Sequence, residues 1–395
     1  DVASQKVRNF CEEDLSFQTE LIRSSLSVRR TLEVRENLGR FDEKELRQDH
    51  RLGRSEMMEI ATDIANEIRN QAKMSRKMEP SWVTISPSED EKQFYLDDMK
   101  YDVYQGNLGV GIFFAGMEKL MPGNGYGDFA YSAIGMSRRW IQKARPLDIE
   151  MMGIGGFSGV GSMIYGLTAI ASILDDRLLL DEATLCAELI TEKLVYEDNT
   201  LDILGGAAGT ASALLALFRA TGNQQILEKA SLCGSHLVAK RRDRGNGMVA
   251  WAADDTSPLL TGFSHGAAGI AFALFSLYRE TGASDLYDVA EGAIAFEDTQ
   301  YDSDIGNWKD NRAAPGELPP EDNNALMWGW CNGAPGIALS RIGTLDVYDN
   351  RSVRNQIEMS LDSTSAIDHL RSDHLCCGNA SISEVLLSAG ALHRR

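Results

Sequence analysis

Three of the six cysteines stand where chemistry is possible. Cys331 lies in Trp330-Cys331-Asn332-Gly333, and Cys376 and Cys377 are neighbours in Leu375-Cys376-Cys377-Gly378. A thiolate is a soft donor. Three of them at about 2.3 Å from Zn²⁺ leave the fourth tetrahedral position open, as a catalytic zinc site requires. Spacing alone does not single this out, since a cysteine followed 45 residues later by a Cys-Cys pair matches no common zinc-finger pattern. Adjacent cysteines in a tight glycine turn are nevertheless poor packing residues, and both can reach one metal. His265, in Gly262-Phe263-Ser264-His265-Gly266, is the one histidine of six in a comparable turn. An imidazole, with an ordinary pKa near ~6.5, can move a proton in either direction at neutral pH. Asp202 stands four residues before Gly206. Its ordinary role there is a turn or helix-cap carboxylate, and the same place would let it orient a histidine.

These residues are far apart in sequence, and an internal repeat is what could assemble them. Gly-x-x-Gly occurs at Gly106/Gly109, Gly156/Gly159, Gly206/Gly209, Gly266/Gly269 and Gly333/Gly336, with a degenerate copy at Gly378-Asn379-Ala380-Ser381. The residue before the first glycine is Gln105, Gly155, Gly205, His265, Asn332 and Cys377 in turn. Each copy opens a run of small and apolar residues, such as Thr210 to Phe218, and amphipathic stretches such as Asp181 to Leu194 and Asp285 to Ala295 lie between copies. Each unit therefore reads as a pair of helices, the size expected of a helical repeat. Glycine lets two backbones approach closely, and a glycine turn leaves free N–H groups at the positive end of a helix dipole. Such pairs repeated around an axis make an all-α fold, an α/α toroid with small-residue helices inside and amphipathic helices outside. An open solenoid is the rival, and it would leave an apolar end exposed unless capped. In the toroid the glycine turns line one rim, and distant Cys and His residues meet there.

The repeat begins near residue 101, so 101–395 is expected to be one domain. Residues 1–100 carry 17 basic and 21 acidic side chains and only two of the 36 glycines, which marks a charged, helix-rich lead-in expected to supply further helices. Within it, Met57, Ile60, Ala61, Ile64 and Ile68 recur at helical spacing, predicting a helix near 55–72. Glu79-Pro80-Ser81 and Ser86 to Glu91 read as loop. Tyr301 to Trp308 and Gly316 to Asp322 read as an insertion near the rim, mostly solvated acidic loop. Asp254, Asp255, Glu321, Asp322 and the run Lys240 to Arg244 read as solvated charges. Cys11, Cys186 and Cys233 read as buried, inert thiols. His50, His236, His369 and His393 carry no motif, and His374 could back up the cysteines.

Composition narrows the partners. The net charge of −19 argues against nucleic acid or an anionic membrane as the main partner. No apolar stretch is long enough to span a bilayer. Few cysteines and no secretory signal point to a reducing, cytoplasmic setting.

Ser264-His265-Gly266-Ala267-Ala268-Gly269, Trp330-Cys331-Asn332-Gly333-Ala334-Pro335-Gly336 and Leu375-Cys376-Cys377-Gly378-Asn379 together resemble the lanthionine-synthetase cyclase family, the LanC-like proteins, over about residues 100–395. Most members have Cys-His-Gly at the last motif. Cys376-Cys377-Gly378 is similar to a three-cysteine subgroup among the cyclase domains of bifunctional, class II (LanM-type) lanthipeptide synthetases. The resemblance implies an α/α toroid and one zinc ion held by Cys331, Cys376 and Cys377, with His265 and Asp202 as catalytic residues. It implies a dehydrated ribosomal precursor peptide as substrate and a preceding dehydratase domain in the full-length enzyme. The implied reaction is Michael-type addition of a peptide cysteine to dehydroalanine or dehydrobutyrine, closing a (methyl)lanthionine thioether ring. In class I cyclases an arginine four residues before the first cysteine and a tyrosine just after it are implicated. Here those positions are Met327 and Asn332, so those contributions do not carry over.

Two other readings stay open. A LanC-like protein could bind zinc and small thiols such as glutathione without making rings. An α/α-barrel glycosidase would share the toroid, but it needs two opposed carboxylates rather than a thiol cluster.

Overall fold

The computed structural model describes residues 15, 19, 22–23, 52–74, 79–87, 94–312, 327–367 and 373–392. Cys11, His50, His369, His393 and the stretch 316–322 lie outside the described residues. The chain divides into two compact units, Asp1–Lys100 and Tyr101–Arg395.

In the first unit the predicted apolar period is a helix, α1 (Arg54–Gln71), whose first turn is closed by the Gly53 N–H on Glu56 Oε2 at 2.7 Å. Its apolar stripe is only partly covered: Ala65 is buried, while Met57, Ile60 and Ile64 stay about half exposed. Trp82 is buried and its indole N–H donates to the Ile68 carbonyl at 2.9 Å. The segment expected as loop is partly strand. β1 (Lys73–Met74) pairs with β2 (Pro80–Ser81), and β3 (Val83–Pro87) pairs with β4 (Phe94–Asp98), both antiparallel. The β-branched and aromatic residues of 82–85 and 94–96 favour a pleated strand, and Pro87 is accommodated at the strand's end.

The second unit is a ring of helix pairs. The first inner helix, α2 (Asn107–Leu120), packs on α3 (Tyr126–Ala133), followed by α4 (Gly135–Lys143) and α5 (Pro146–Met152). Inner α6 (Val160–Leu174) packs on outer α7 (Arg177–Ala187), and the short α8 (Glu192–Glu197) follows. Inner α9 (Ala207–Thr221) packs on outer α10 (Gln224–Lys240), and inner α11 (Ala267–Thr281) on outer α12 (Ser284–Asp298). Inner α13 (Ala334–Ile342) packs on outer α14 (Arg351–Ser365), and α15 (Asn379–Leu392) is the sixth inner helix. Each inner helix packs on the next, from α2 through to α15.

Burial separates the two layers. α6 and α11 are buried on nearly every side, whereas α10 and α14 bury one face only. Helices apolar all round belong inside, and amphipathic ones outside. The outer helices α7, α10 and α14 start on side-chain caps, Asp176, Asn223 and Asn350. The inner helices start on glycine and have no such cap of their own. Gly222 and Gly282, both left-handed, end α9 and α11 and turn the chain directly into the outer helix. Among the described residues no helix is long and apolar enough to cross a membrane.

The second glycine of each turn serves close approach. A Cβ at Gly209 would lie 1.9 Å from the Ile203 carbonyl oxygen and 2.5 Å from the Gly156 nitrogen. At Gly116, inside α2, a Cβ would meet nothing within 4 Å. Gly209→Ala is therefore expected to destabilise by about 3 kcal/mol through overpacking of fixed backbone, and Gly116→Ala to stabilise by about 0.5–1 kcal/mol. Urea unfolding of both variants checks the pair, and equal effects would contradict this packing.

Candidate active site

The six glycine turns hold one another through backbone hydrogen bonds passed in one direction. Tyr104 N–H donates to Phe157 O (3.2 Å), Gly156 and Phe157 donate to Ile203 and Leu204 (3.3 and 3.1 Å), and Ile203 and Leu204 both donate to Ser264 O (3.1 and 3.3 Å). Ser264 N–H then donates to Cys331 O (3.0 Å), and Cys331 N–H to Cys376 O (3.3 Å). The Tyr104 hydroxyl, 3.5 Å from Cys376 Sγ, links the last turn back to the first. This relay is what the glycines permit. In four copies the second glycine seats the carbonyl six residues before it against its Cα: Val103 on Gly109, Ile203 on Gly209, Phe263 on Gly269 and Trp330 on Gly336. The degenerate copy has Ser381 instead, and its hydroxyl accepts the Trp330 N–H at 2.6 Å.

A side-chain acceptor, buried in the case of Glu297 and Asn307, braces each of three consecutive turns at both ends. Asp198 Oδ2 accepts from Leu201 and Ala207 N–H (3.0 and 2.8 Å). Glu297 Oε1 accepts from Gly262 and Ala268 N–H, both at 3.0 Å, and so spans the His265 turn. Asn307 Oδ1 accepts from Ala334 N–H at 2.8 Å while its amide donates to Met327 O at 3.1 Å, spanning the Cys331 turn. These acceptors satisfy the first N–H groups of the inner helices and suit the positive end of the helix dipole. Glu297 is fully buried, and desolvation pushes its carboxyl up to about 7, although the buried Arg341 guanidinium pulls the other way.

The structure brings the three cysteines together around Cys376. Hydrogen bonds from Cys331 foremost, then from Tyr104 and Cys377, hold the Cys376 thiol down to about 6 against its burial, and the His265 charge adds to them. The partners move the opposite way. Cys331 is raised because it donates to Cys376 and is buried, Cys377 by burial and the Cys376 charge, and Tyr104 by burial and its bond to Cys376. Among the described residues no three His, Cys, Asp or Glu side chains already stand as a group that could hold a metal ion. The sulfurs contact in pairs rather than closing on one point. Their chemistry still fits a soft divalent ion: three sulfurs on adjoining turns, one of them ionised at neutral pH. His374 Nδ1 lies 4.0 Å from Cys377 Sγ.

His265 and Asp202 also meet. His265 Nδ1 is 2.6 Å from Asp202 Oδ2, and Asp202 Oδ1 accepts the Gly205 N–H at 2.7 Å. An ionised carboxylate can only accept, so the imidazole proton on this side sits on Nδ1 and leaves Nε2 for chemistry. Asp202 is buried and fixed, while the imidazole is about one-third exposed and can meet a substrate. Arg312 pairs with Asp310 and also rests against Met327 Sδ, and its charge opposes the upward shifts of Cys331 and Cys377.

Tyr104, Asn307, Glu297 and Arg312 were not singled out by sequence reasoning. Tyr104 had a signal, because it stands two residues before its first glycine, as Cys376 does. Asn307 lies in the segment expected as solvated loop. The structure makes that segment a hairpin, Tyr301–Asp302 with Asn307–Trp308, and buries Asn307 and Trp308. The remaining cysteines behave as expected: Cys186 and Cys233 are buried free thiols, and burial pushes Cys233 up to about 12. His236 is buried and bonded to the Asp198 carbonyl at 2.8 Å.

Residues 97–393 match the family described as "Lanthionine synthetase C-like protein". Among solved structures the chain is similar to one described as "Nisin cyclase", with 14% identity and a TM-score of 0.59, covering 85% of this chain and 82% of that one. It is also similar to a structure described as "UGL_D88N/dGlcA-Glc-Rha-Glc", with 11% identity, a TM-score of 0.50 and 78% and 81% covered. At these identities the likeness is one of fold. Among curated proteins no sequence matches.

Burial of Glu297 sets a pH dependence. With its pKa raised to about 7, the folded state holds a proton that the unfolded chain gives up near pH ~4.3. Stability from this group is full below that lower value and is lost as pH rises to about 7. Glu297→Gln removes the slope. Whatever constant offset follows from leaving Arg341 without its counter-charge, the variant is expected to gain on the parent by on the order of 2 kcal/mol between pH ~5 and ~8. Urea unfolding across that range measures it, and a gap that ignores pH would contradict the assignment.

Proposed function

The chain belongs to the lanthionine synthetase C-like family, and on that premise we propose that it is a zinc-dependent lanthipeptide cyclase of the class II, three-cysteine kind. The supporting observation is the convergence of Cys331, Cys376 and Cys377 on the rim that also carries the His265–Asp202 pair. The substrate would be a dehydrated ribosomal peptide, delivered by a dehydratase domain preceding this one in the full-length enzyme. Five described cysteines, all free, suit a reducing cytoplasmic setting.

Cys331, Cys376 and Cys377 would hold the zinc ion. Bound there, zinc supplies Lewis acidity that lets a substrate thiol ionise at neutral pH. The peptide thiolate forms a bond to the β-carbon of dehydroalanine or dehydrobutyrine, and the alkene π pair moves toward the carbonyl as an enolate. His265 Nε2 takes up the thiol proton and then delivers it to the α-carbon. Asp202 keeps Nδ1–H in place and stabilises the imidazolium formed within each turnover. The thiol hydrogen ends on the α-carbon, so ring closure leaves the mass unchanged and removes one alkylatable thiol. Tyr104 and the backbone of Cys331 hold Cys376 at its station.

Mass spectrometry with alkylation of a dehydrated peptide tests this. The zinc-loaded chain is expected to protect the peptide thiol. His265→Ala is expected to lower the rate about 100-fold or more at unchanged zinc content, and Cys331→Ala to lose the zinc. A peptide thiol that stays alkylatable with the loaded parent chain overturns the reading in favour of a LanC-like protein that binds thiols without closing rings.

A further inference from the structure

The ring of inner helices encloses a hollow of about 1100 Å³ that opens beside Tyr104, Cys376 and Cys377. One register is small in all six copies of the repeat. The seventh residue after the second glycine, or after Ser381 in the degenerate copy, is Gly116, Gly166, Ala216, Ser276, Gly343 and Ser388. Ser276, Gly343 and Ser388 line the hollow directly. Gly343 is needed there, since a Cβ would lie 2.6 Å from the Phe272 ring.

The upper wall is aromatic and continuous. Phe157 meets Trp330 at 4.9 Å between ring centroids, Trp330 meets Phe263 at 5.5 Å, and Phe263 meets Phe272 at 5.3 Å. The charged residues lining it are few: Glu384, and Arg219, which is tied to Glu280 at 2.7 Å. Ser276 lines the hollow at 3% exposure, and its hydroxyl has no hydrogen-bond partner. Buried hydroxyls ordinarily have one, so this one fits a partner arriving with a ligand. Along α9 the lining runs from Gly209 to Arg219, about 15 Å of helix, which an extended segment of about four or five residues would span.

We propose that this hollow is a subsite for an apolar stretch of the peptide next to its reacting cysteine. The apolar side chains lie against the aromatic wall and one peptide group reaches Ser276. The occupant is apolar rather than anionic, because a carboxylate-bearing thiol such as glutathione would face Glu384 with no free cation opposite among the described lining residues. The inference rests on the cyclase reading for its peptide, and the test separates the two.

Two fluorescently labelled peptides serve as binding probes, each with alanine at the dehydro position and serine in place of cysteine. One carries leucine and phenylalanine beside the serine, the other glycine and asparagine. The parent is expected to bind the apolar probe about tenfold or more tightly than the polar one. Ser388→Phe and Ser212→Phe fill the hollow from α15 and α9, and each is expected to erase that preference without weakening the polar probe. Equal binding of both probes by the parent overturns the proposal. So does a preference that survives in both filled variants, or tighter binding of glutathione than of the apolar probe. Ring closure on the reactive polar peptide reports separately: its failure in the parent sinks the cyclase reading, while the probe preference still decides this one.

Discussion

Everything at the rim depends on one constraint: six turns must come close enough for each of the first five to give backbone N–H to the next. The relay from Tyr104 through Phe157, Leu204, Ser264 and Cys331 to Cys376 is built from backbone groups, so it survives changes of side chain but not of glycine. At Gly209, Gly269 and Gly336 a single added carbon would lie 1.9–2.2 Å from a carbonyl oxygen. Turns held this rigidly fix the Cα positions of residues 202, 265, 331, 376 and 377. Their side chains then reach one another without long-range search.

Electrostatics is arranged on the same frame. The inner helices begin on glycine, which can cap nothing with a side chain, so Asp198, Glu297 and Asn307 reach in from elsewhere to take up the first N–H groups. Burying an acid for this purpose has a cost, visible in the raised Glu297 carboxyl and in the charged Arg341 packed beside it. The cost secures the turn that presents His265. On the neighbouring turns the thiols divide unequally: Cys376 collects the hydrogen bonds and ionises readily, while its neighbours keep their protons. A fixed Asp202 then leaves His265 a single free nitrogen.

Much of this was legible in the sequence. The glycine repeat predicts inner helices opening on glycine, the small-residue content of 210–218 predicts an inner position, and α6, α9 and α11 follow both. The meeting of His265 with Asp202, and of Cys331 with Cys376 and Cys377, follows from turns in register. What could not be read depends on tertiary partners. Asn307 and Glu297 act on turns that are distant in sequence or that precede them, and no local pattern marks an acceptor for a remote N–H. Trp308 and Asn307 sit in an acidic surrounding whose composition predicts solvent exposure, yet packing buries both. The strands of 80–98 were obscured by Pro80 and Pro87, which read as breakers until their places in the hairpins are seen. A small residue recurs at one register of the repeat, and only the ring shows that Ser276, Gly343 and Ser388 of that register line the hollow.

The most direct test is zinc K-edge X-ray absorption on the zinc-loaded chain, before and after addition of a small thiol. Three sulfur donors at about 2.3 Å with one lighter donor are expected, and four sulfurs once the thiol is added. A first shell with fewer than three sulfurs, or one of four protein donors that ignores the thiol, would contradict this.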